Sequence, residues 1–161
     1  MILPDTGSKP TLIRSSLLQS LRRLENKLAV ITGAASGIGR AIAIRYAAEG
    51  AHVVIADIRD LPKEGGDPTA DVILAAGGSA VFQHTDISKW DNIDATISDA
   101  VKAHGRLDIL VNNAATYNGL RCHNTPEDLW DMVMDVNLKG AYLCTKRAIQ
   151  QMLTQDIHSE T

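Results

Sequence analysis

Short, continuously apolar runs alternate along the chain with longer stretches in which apolar residues recur every three or four positions. A run with no polar face is typical of a strand that is buried on both sides of a parallel sheet. The longer stretches are typical of amphipathic helices. The pattern predicts strands at 27–32, 52–56, 79–84 and 107–111, and helices at 37–49, 68–76, 89–104 and 126–154.

The predicted helices carry recognisable boundaries and faces. Ile38, Ile42 and Tyr46 are predicted to form the buried stripe of the first helix. The predicted cap signals are Asp67 before the second helix, Ser88 with Asp91 as a capping box on the third, and Gly105 at the end of the third. Strands that alternate with such helices predict an α/β fold with right-handed crossovers.

The junction between the first strand and the first helix is rich in glycine. Gly33 allows a sharp turn, Gly37 allows a phosphate to approach the backbone, and Gly39 leaves room for helix and strand to pack. The N-terminus of the helix then directs N–H groups and a partial positive charge toward the phosphates. The turn therefore predicts a dinucleotide site, with Gly33, Ser36, Gly37, Ile38 and Gly39 as cofactor-binding residues.

An acid follows the second strand at the distance that such a site requires. Asp57 lies 24 positions after Gly33 and can accept hydrogen bonds from the adenosine ribose. Its charge would repel a 2′-phosphate, which favours NAD over NADP. Arg59 could neutralise that phosphate, so NADP stays open as the less favoured cofactor. The alternative for Asp57 is a turn residue that ends a strand.

These signals together predict a doubly wound parallel Rossmann sheet of strand order 3-2-1-4. Residues 27–154 are predicted to be this dinucleotide-binding domain. Residues 1–26 are predicted to be a partly flexible N-terminal extension, and residues 155–161 a frayed tail.

Composition narrows the class of partner and the compartment. The chain has 161 residues and a net charge of −3, which gives no case for nucleic acid or an anionic membrane as a partner. No apolar run approaches the roughly 18 residues of a transmembrane helix. Cys122 and Cys144 form no disulfide framework or zinc pattern, and we expect a cytoplasmic protein. The alternative is a mitochondrial protein, since residues 11–24 are amphipathic, rich in Arg and Ser, and acid-poor until Glu25.

The motifs resemble those of the short-chain dehydrogenases/reductases. The matching segments are the glycine turn 32–39, Asp57, Asp86, the run Leu-Asp-Ile-Leu-Val-Asn-Asn-Ala at 107–114 and the run Asp-Val-Asn-Leu-Lys-Gly at 135–140. They cover about residues 24–154 in the order of the family. The resemblance implies that the sheet is truncated after the fourth strand and the helix that follows it, so that the 27–154 domain is incomplete. Ala115 departs from the pattern, where glycine is more usual.

The resemblance implies roles for several of these residues. It implies that Asp86 contacts the adenine and that the segment from Asn112 through Asn113 to Ala114 lines the cofactor cleft. It also implies that Asn137 is the Asn of the catalytic tetrad, whose backbone helps to hold a proton-relay water. The implied activity is hydride transfer between NAD(P) and a small alcohol or ketone. A family-like homo-oligomer could form through the 126–154 helix.

The proton-transfer residues of the family come from a Ser on a fifth strand and a Tyr-x-x-x-Lys on the next helix, which we expect beyond Thr161. Tyr142 and Lys146 match Tyr-x-x-x-Lys literally, but they follow Asn137 within one helix, and we predict that they are not catalytic. On this basis we expect the chain alone to be inactive. The alternative is a non-catalytic nucleotide-binding or dimer-interfering fragment.

Overall fold

In the computed structural model, which describes residues 22–156, the strands form a four-stranded parallel sheet. The strands are β1 (Leu28–Thr32), β2 (His52–Asp57), β3 (Ser79–His84) and β4 (Ile109–Val111). Their order is β3-β2-β1-β4, so the predicted α/β Rossmann sheet of order 3-2-1-4 is confirmed. Ala29 pairs with Val53 on one side and with Ile109 on the other, which places β1 at the centre.

Helices cover both faces of the sheet. They are α1 (Gly37–Ala48), α2 (Thr69–Ala75), α3 (Trp90–His104), α4 (Glu127–Met134) and α5 (Ala141–Met152). Most of the predicted boundaries are met within about two residues. The predicted segment at 11–24 lies outside the described residues up to position 21, and the predicted tail does so from position 157.

Within the described part of the chain the core consists of two clusters, one on each side of the sheet. Successive residues of a strand point to opposite faces. Leu28 and Val30 therefore join the cluster under α3 and α5, whereas Ile31 joins the cluster under α1 and α2. Every residue of β1 is buried, which accounts for its continuous apolar run.

The long C-terminal helix differs from its prediction as a single α-helix. It is α-helical in α4 and α5, but the connecting residues Asp135–Gly140 form a π-helical segment. Gly140 is buried against the loop after β3, where an added Cβ would lie 2.8 Å from Ile87 Cδ1. The close approach of this segment to Ile87 depends on a glycine at that position.

The predicted buried stripe of α1 is wrong at its first position. The side chain of Ile38 is 76% exposed, while Gly39, Ala43 and Ala47 are the buried residues of the helix. Small residues allow α1 to lie close to the sheet, so the packing face is defined by size and not by the largest apolar side chains. Ile42 and Tyr46 are only partly buried at the edge of the cluster.

The predicted N-caps are also wrong, whereas the predicted C-cap of α3 is confirmed. Neither α2 nor α3 has a side-chain cap bond at its N-terminus. Ser88 donates its N–H and its hydroxyl to Asp86 Oδ1 and does not cap α3. Pro68, and not Asp67, is the N-cap of α2. Gly105 adopts a left-handed conformation at the end of α3, with φ +86°.

Hydrogen bonds of Asp108 and Gln155 fix the start of β4. The main chain pairs Asp108 N with Leu28 O, and the Asp108 carboxylate accepts a hydrogen bond from Leu28 N at 2.9 Å. Arg106 Nε lies 2.8 Å from the same carboxylate. Gln155 binds Leu107 through both of its amide atoms, so the first residue of the predicted tail packs on the domain.

We expect Asp108→Ala to destabilise the fold. The carboxylate is almost fully buried, and its removal leaves Leu28 N–H without its acceptor. An unsatisfied buried donor costs about 1–3 kcal/mol in the free energy of unfolding. Urea denaturation measures this loss, and Asp99→Ala, at an exposed acid of α3, is the matched control. Equal stability of both variants would contradict the role assigned to Asp108.

We expect the stability of the fold to fall in mild acid because of His104. The ring of His104 is exposed, but its partial desolvation lowers its pKa below the ordinary value of 6.5, and the neighbouring His52 ring, 4.6 Å away between centroids, lowers the pKa further. The unfolded chain therefore binds a proton more readily than the folded one, so stability is complete above pH 6.5 and is lost as pH falls below it.

Thermal melting between pH 7.5 and pH 5.5 measures this effect. His104→Gln should flatten the pH dependence of the melting temperature, because it removes the group that titrates differently in the two states. His123→Gln, at an exposed position outside the α-helices, is the control. A slope that His104→Gln does not change would contradict the assignment.

Candidate functional site

The glycine turn lies at the carboxyl end of β1, where ligands bind in open parallel sheets. Gly33 has φ +68° and Gly37 has φ +55°, a region that side-chain-bearing residues rarely adopt. Gly33 N donates to Ala56 O at 2.8 Å, which joins the turn to β2. The backbone then enters α1 at Gly37.

Two of the glycines are required by close packing. An added Cβ at Gly39 would lie 2.3 Å from Gly33 O and 2.4 Å from Asn113 Nδ2. An added Cβ at Gly33 would lie 2.8 Å from Ala114 Cα. The turn is therefore held in contact with the end of β4, and Gly39 lies beneath the surface and not on it. Gly37 has open space around it.

Thr32 and Asn113 join β1 to the end of β4. The Thr32 hydroxyl donates to Val111 O at 3.2 Å and accepts hydrogen bonds from Asn113 N and Ala114 N. Asn113 Nδ2 in turn donates to Thr32 O at 2.9 Å and to Gly33 O at 3.2 Å. The Asn113 amide is thus occupied by the turn, and it supports the cleft floor. The sequence shows that Thr32 ends the first strand, but it does not show that the Thr32 hydroxyl binds the end of β4.

Asp57 ends β2 directly beside the turn. Its Oδ2 accepts a hydrogen bond from Ala35 N at 3.1 Å, and its Oδ1 accepts one from Arg59 N at 3.3 Å. The side chain is half-buried and faces the cleft. A carboxylate has about four lone-pair sites, so acceptor capacity remains for hydroxyl groups of a ligand. The strand-end function and a ribose contact are compatible with one another.

An open cleft of about 700 Å³ joins these elements. This volume falls in the range of small-molecule and cofactor sites. The predicted site residues on its lining are Gly33, Ser36, Gly37, Ile38, Asp57, Asp86, Asn113 and Ala114. Ile38, which was predicted both for the buried stripe of α1 and for the cofactor site, lines the cleft and is not part of the core.

Of the remaining predicted cleft residues, Asp86 lines the cleft and Asn112 does not. Asp86 lies on the cleft, and Ser88 orients its carboxylate by two hydrogen bonds. Asn112 does not line the cleft: its amide donates to Thr145 Oγ1 of α5 at 2.9 Å. The resemblance placed Asn112 with Asn113 and Ala114, but in the structure its amide is held by Thr145 on the face of the sheet that α5 covers.

Asn137 lies in the π-helical segment and binds the loop that follows β4. Its Oδ1 accepts from Thr116 N and its Nδ2 donates to Thr116 O, both at 2.8 Å. Its side chain is not on the cleft, whereas Thr116, Val136 and Met132 are. Asn137 therefore fixes one wall of the cleft by holding the backbone of Thr116.

Tyr142 and Lys146 lie on α5 away from the cleft. Tyr142 is 61% exposed and does not line it. The ammonium of Lys146 lies 5.3 Å from the ring centroid of Trp90, a cation–π contact with α3. The literal Tyr-x-x-x-Lys motif is thus directed toward another surface.

Other chemistries find little support in the part of the chain that the structure describes. Cys144 is buried, and burial raises the pKa of its thiol to about 11, which disfavours the reactive thiolate. No group of three or more His, Cys, Asp or Glu residues between 22 and 156 is placed to hold a metal ion. Among the same residues, no helix is long and apolar enough to cross a membrane.

The loop between β2 and α2 covers the glycine turn. Glu64 Oε1 accepts a hydrogen bond from Gly37 N at 2.9 Å, and Lys63 N donates to Ser36 Oγ at 2.9 Å. Both Lys63 and Glu64 line the cleft. This loop is rich in Pro and Gly, and nothing in its sequence indicates which carboxylate reaches the turn.

Comparison with known proteins agrees with this geometry. The family model described as short chain dehydrogenase matches residues 27–158. The chain is 45% identical over 132 residues to "Uncharacterized oxidoreductase YxbG" of Bacillus subtilis, covering 81% of this chain and 47% of that protein. It is 37% identical over 136 residues to "Glucose 1-dehydrogenase 2" of the same organism, covering 83% of this chain and 52% of that protein.

Solved structures show the same fold. A short-chain type dehydrogenase/reductase from Mycobacterium marinum superposes with a TM-score of 0.77 at 29% identity, over 86% of this chain and 55% of that one. A metagenomic short-chain oxidoreductase in complex with NADP gives a TM-score of 0.73 at 37% identity, over 81% and 58%. The chain spans about half the length of the curated relatives it matches. With its glycine turn, strand order and cleft, the chain belongs to the short-chain dehydrogenase family of oxidoreductases.

Proposed function

We propose that this chain supplies the dinucleotide-binding part of an NAD(P)-dependent oxidoreductase that transfers hydride between the nicotinamide and a small alcohol or ketone. The observation that carries the proposal is the single cleft onto which the glycine turn, Asp57 and Asp86 all open. The N-terminal N–H groups of α1 would hold the pyrophosphate, Asp57 the adenosine ribose and Asp86 the adenine. The bound nicotinamide supplies or accepts the hydride.

Within this proposal NAD is the favoured cofactor. The Asp57 carboxylate lies on the cleft at the end of β2, where its charge would repel a ribose 2′-phosphate. Its contact with Ala35 N fixes the side chain beside the turn. Arg59 also lines the cleft, and one structural neighbour is described in complex with NADP, so NADP is the second choice.

Asn137 is proposed as the catalytic Asn that the family resemblance implies. Both polar atoms of its side chain are used by Thr116. A contribution to proton relay would therefore come from its main-chain carbonyl, which supports the backbone role that the resemblance implies. The π-helical geometry of 135–140 departs from the regular α-helical bonding of main-chain carbonyls, and such segments are frequent at functional sites.

A second candidate is a nucleotide-binding fragment without catalysis of its own, which could also interfere with dimerisation. This second candidate is supported by Tyr142 and Lys146, because neither residue lines the cleft and Lys146 contacts Trp90 instead. A proton donor must reach the reacting group by a hydrogen bond or through one water. In the whole oxidoreductase, we propose, that donor comes from another segment.

The proposal extends to assembly and compartment. Trp130, Leu138, Tyr142 and Ile149 are large apolar side chains that are at least half exposed along 126–154, which supports a homo-oligomer through these helices. Cys122 and Cys144 carry free thiols, which agrees with a reducing compartment such as the cytoplasm.

We expect Asp57→Ala to weaken NADH binding to the purified chain and to reduce the preference over NADPH. Hydrogen bonds to a charged group contribute about 1.5–3 kcal/mol, so the dissociation constant for NADH should rise by roughly 10- to 100-fold. Calorimetric titration with NADH and with NADPH measures both effects. Asp57→Asn keeps an acceptor for Ala35 N and separates the effect of charge from that of the turn.

Asp60→Ala is the matched control, because Asp60 is an exposed acid three positions later that does not line the cleft. It should leave the affinity for NADH unchanged. An unchanged cofactor preference in Asp57→Ala would overturn the ribose role. Absence of dinucleotide binding to the unsubstituted chain would overturn the proposed function itself.

We expect Tyr142→Phe to leave any NADH turnover by the chain unaltered. Loss of a general acid costs roughly 10²–10⁴-fold in rate, whereas loss of an exposed hydroxyl outside the site should change it by less than about twofold. Lys146→Met should behave in the same way, since its ammonium contacts Trp90. Robust turnover that Tyr142→Phe abolishes would contradict the placement of the proton donor elsewhere.

A further inference from the structure

The loop between β2 and α2 is held against the N-terminus of α1 along its length. Lys63 N donates to Ser36 Oγ at 2.9 Å, and Glu64 Oε1 accepts from Gly37 N at 2.9 Å. Further along, Arg40 Nη1 donates to Asp67 O at 2.9 Å. These contacts place the side chain of Glu64 at Gly37 N, the first N–H of α1.

A carboxylate in this position resembles a bound ligand in its chemistry. The free N–H groups at the start of a helix, together with the helix dipole, favour an anion. The pyrophosphate of a dinucleotide would need this same N-terminus, and Glu64 lines the same cleft as Asp57. The N–H of Gly37 cannot bind the Glu64 carboxylate and the pyrophosphate in the same way at once. Two anions at the same helix N-terminus would also repel each other.

We propose that Glu64 is an internal anion at the position that the phosphates would occupy, and that the dinucleotide binds by displacing residues 63–66 of this loop. This inference rests on the proposed function, since it assigns a self-inhibitory contact to the same cleft. The displaced anion and the incoming ligand compete for Gly37 N, so Glu64 lowers the affinity of the cleft for dinucleotides in general.

The loop has the composition and conformation for such a displacement. Pro62 is buried and anchors one end, while Gly65 and Gly66, at φ +85° and +93°, follow Glu64 directly. An added Cβ at either glycine would meet nothing within 4 Å, so this part of the loop has open space. The carboxylate can leave Gly37 by local rotation while β2 and α2 stay in place.

Glu64 is charged under ordinary conditions. The hydrogen bond from Gly37 N lowers the pKa of its carboxyl below the usual 4.5, and the positive charge of Arg40 contributes in the same direction. The side chain is therefore an anion at neutral pH, as the competition requires.

The test is calorimetric titration of the full chain with ADP-ribose, which carries the adenosine and the pyrophosphate but no nicotinamide. Glu64→Ala should bind ADP-ribose about three- to tenfold more tightly than the unsubstituted chain, since a helix N-terminus regains its free donors. Glu64→Gln, which keeps the shape and loses the charge, should shift affinity in the same direction. Asp67→Asn removes one charge from the same loop without touching Gly37, and should change affinity by less than about twofold.

A second measurement follows Glu64 without relying on affinity. In the free chain the amide resonance of Gly37 should titrate with the carboxyl of Glu64, at a pKa below the ordinary value. With saturating ADP-ribose, the pKa of Glu64 should move back up toward the ordinary value, because its contact with Gly37 N is lost. Melting temperatures show that the variants are folded.

The outcomes separate this inference from the proposed function. Binding of ADP-ribose that depends on Asp57, with equal or weaker binding in Glu64→Ala and Glu64→Gln, would overturn the inference and leave the proposed function standing. A pKa of Glu64 that saturating ADP-ribose does not change would also overturn it. Absence of ADP-ribose binding in the unsubstituted chain and in all variants would overturn both.

Discussion

The cleft depends on the hydrogen bonds that join the carboxyl end of β1 to that of β4. The hydroxyl of Thr32 and the amide of Asn113 supply these bonds, and Thr32 itself is 2% exposed. Buried polar groups are stable only when they have hydrogen-bond partners. Here the Thr32 hydroxyl accepts from Asn113 N, and the Asn113 amide donates to Thr32 O. The junction fixes the glycine turn against Ala114, so contacts within the protein define the floor of the cleft.

At the glycine turn, small residues allow close packing, and the N-terminus of α1 supplies a partial positive charge. A Cβ added at Gly33 or at Gly39 would lie less than 3 Å from a neighbouring atom. Because glycine has no Cβ, α1 can pack closely on the sheet. That approach directs the N-terminus of α1 into the cleft, with its partial positive charge. An anion is therefore favoured at this point whichever group provides it, and in the free chain Glu64 does so.

The fold was largely predictable because its signals are local and mutually consistent. Continuous apolar runs indicated buried strands, and the glycine turn followed by Asp57 indicated the strand order, which the sheet confirms. The face of α1 was predicted wrongly, because periodicity weighs Ile38 by its apolar character and cannot register that Gly39 and Ala43 permit closer packing. Ser88 likewise has the sequence of a cap, but its hydroxyl donates to Asp86 Oδ1, and the helix that follows has no side-chain cap bond.

The sequence by itself determined the family, the order of the strands and the position of the cleft at their carboxyl ends, since that position follows from chain direction in a parallel sheet. Tertiary structure decided which side chains line the cleft, and which, like Asn112, bind another part of the domain. Asn113 and Asn137 bind backbone that is 81 and 21 positions away, and Glu64 reaches Gly37 across 27 positions. Such pairings depend on how distant segments meet in space, and no spacing within one segment encodes them.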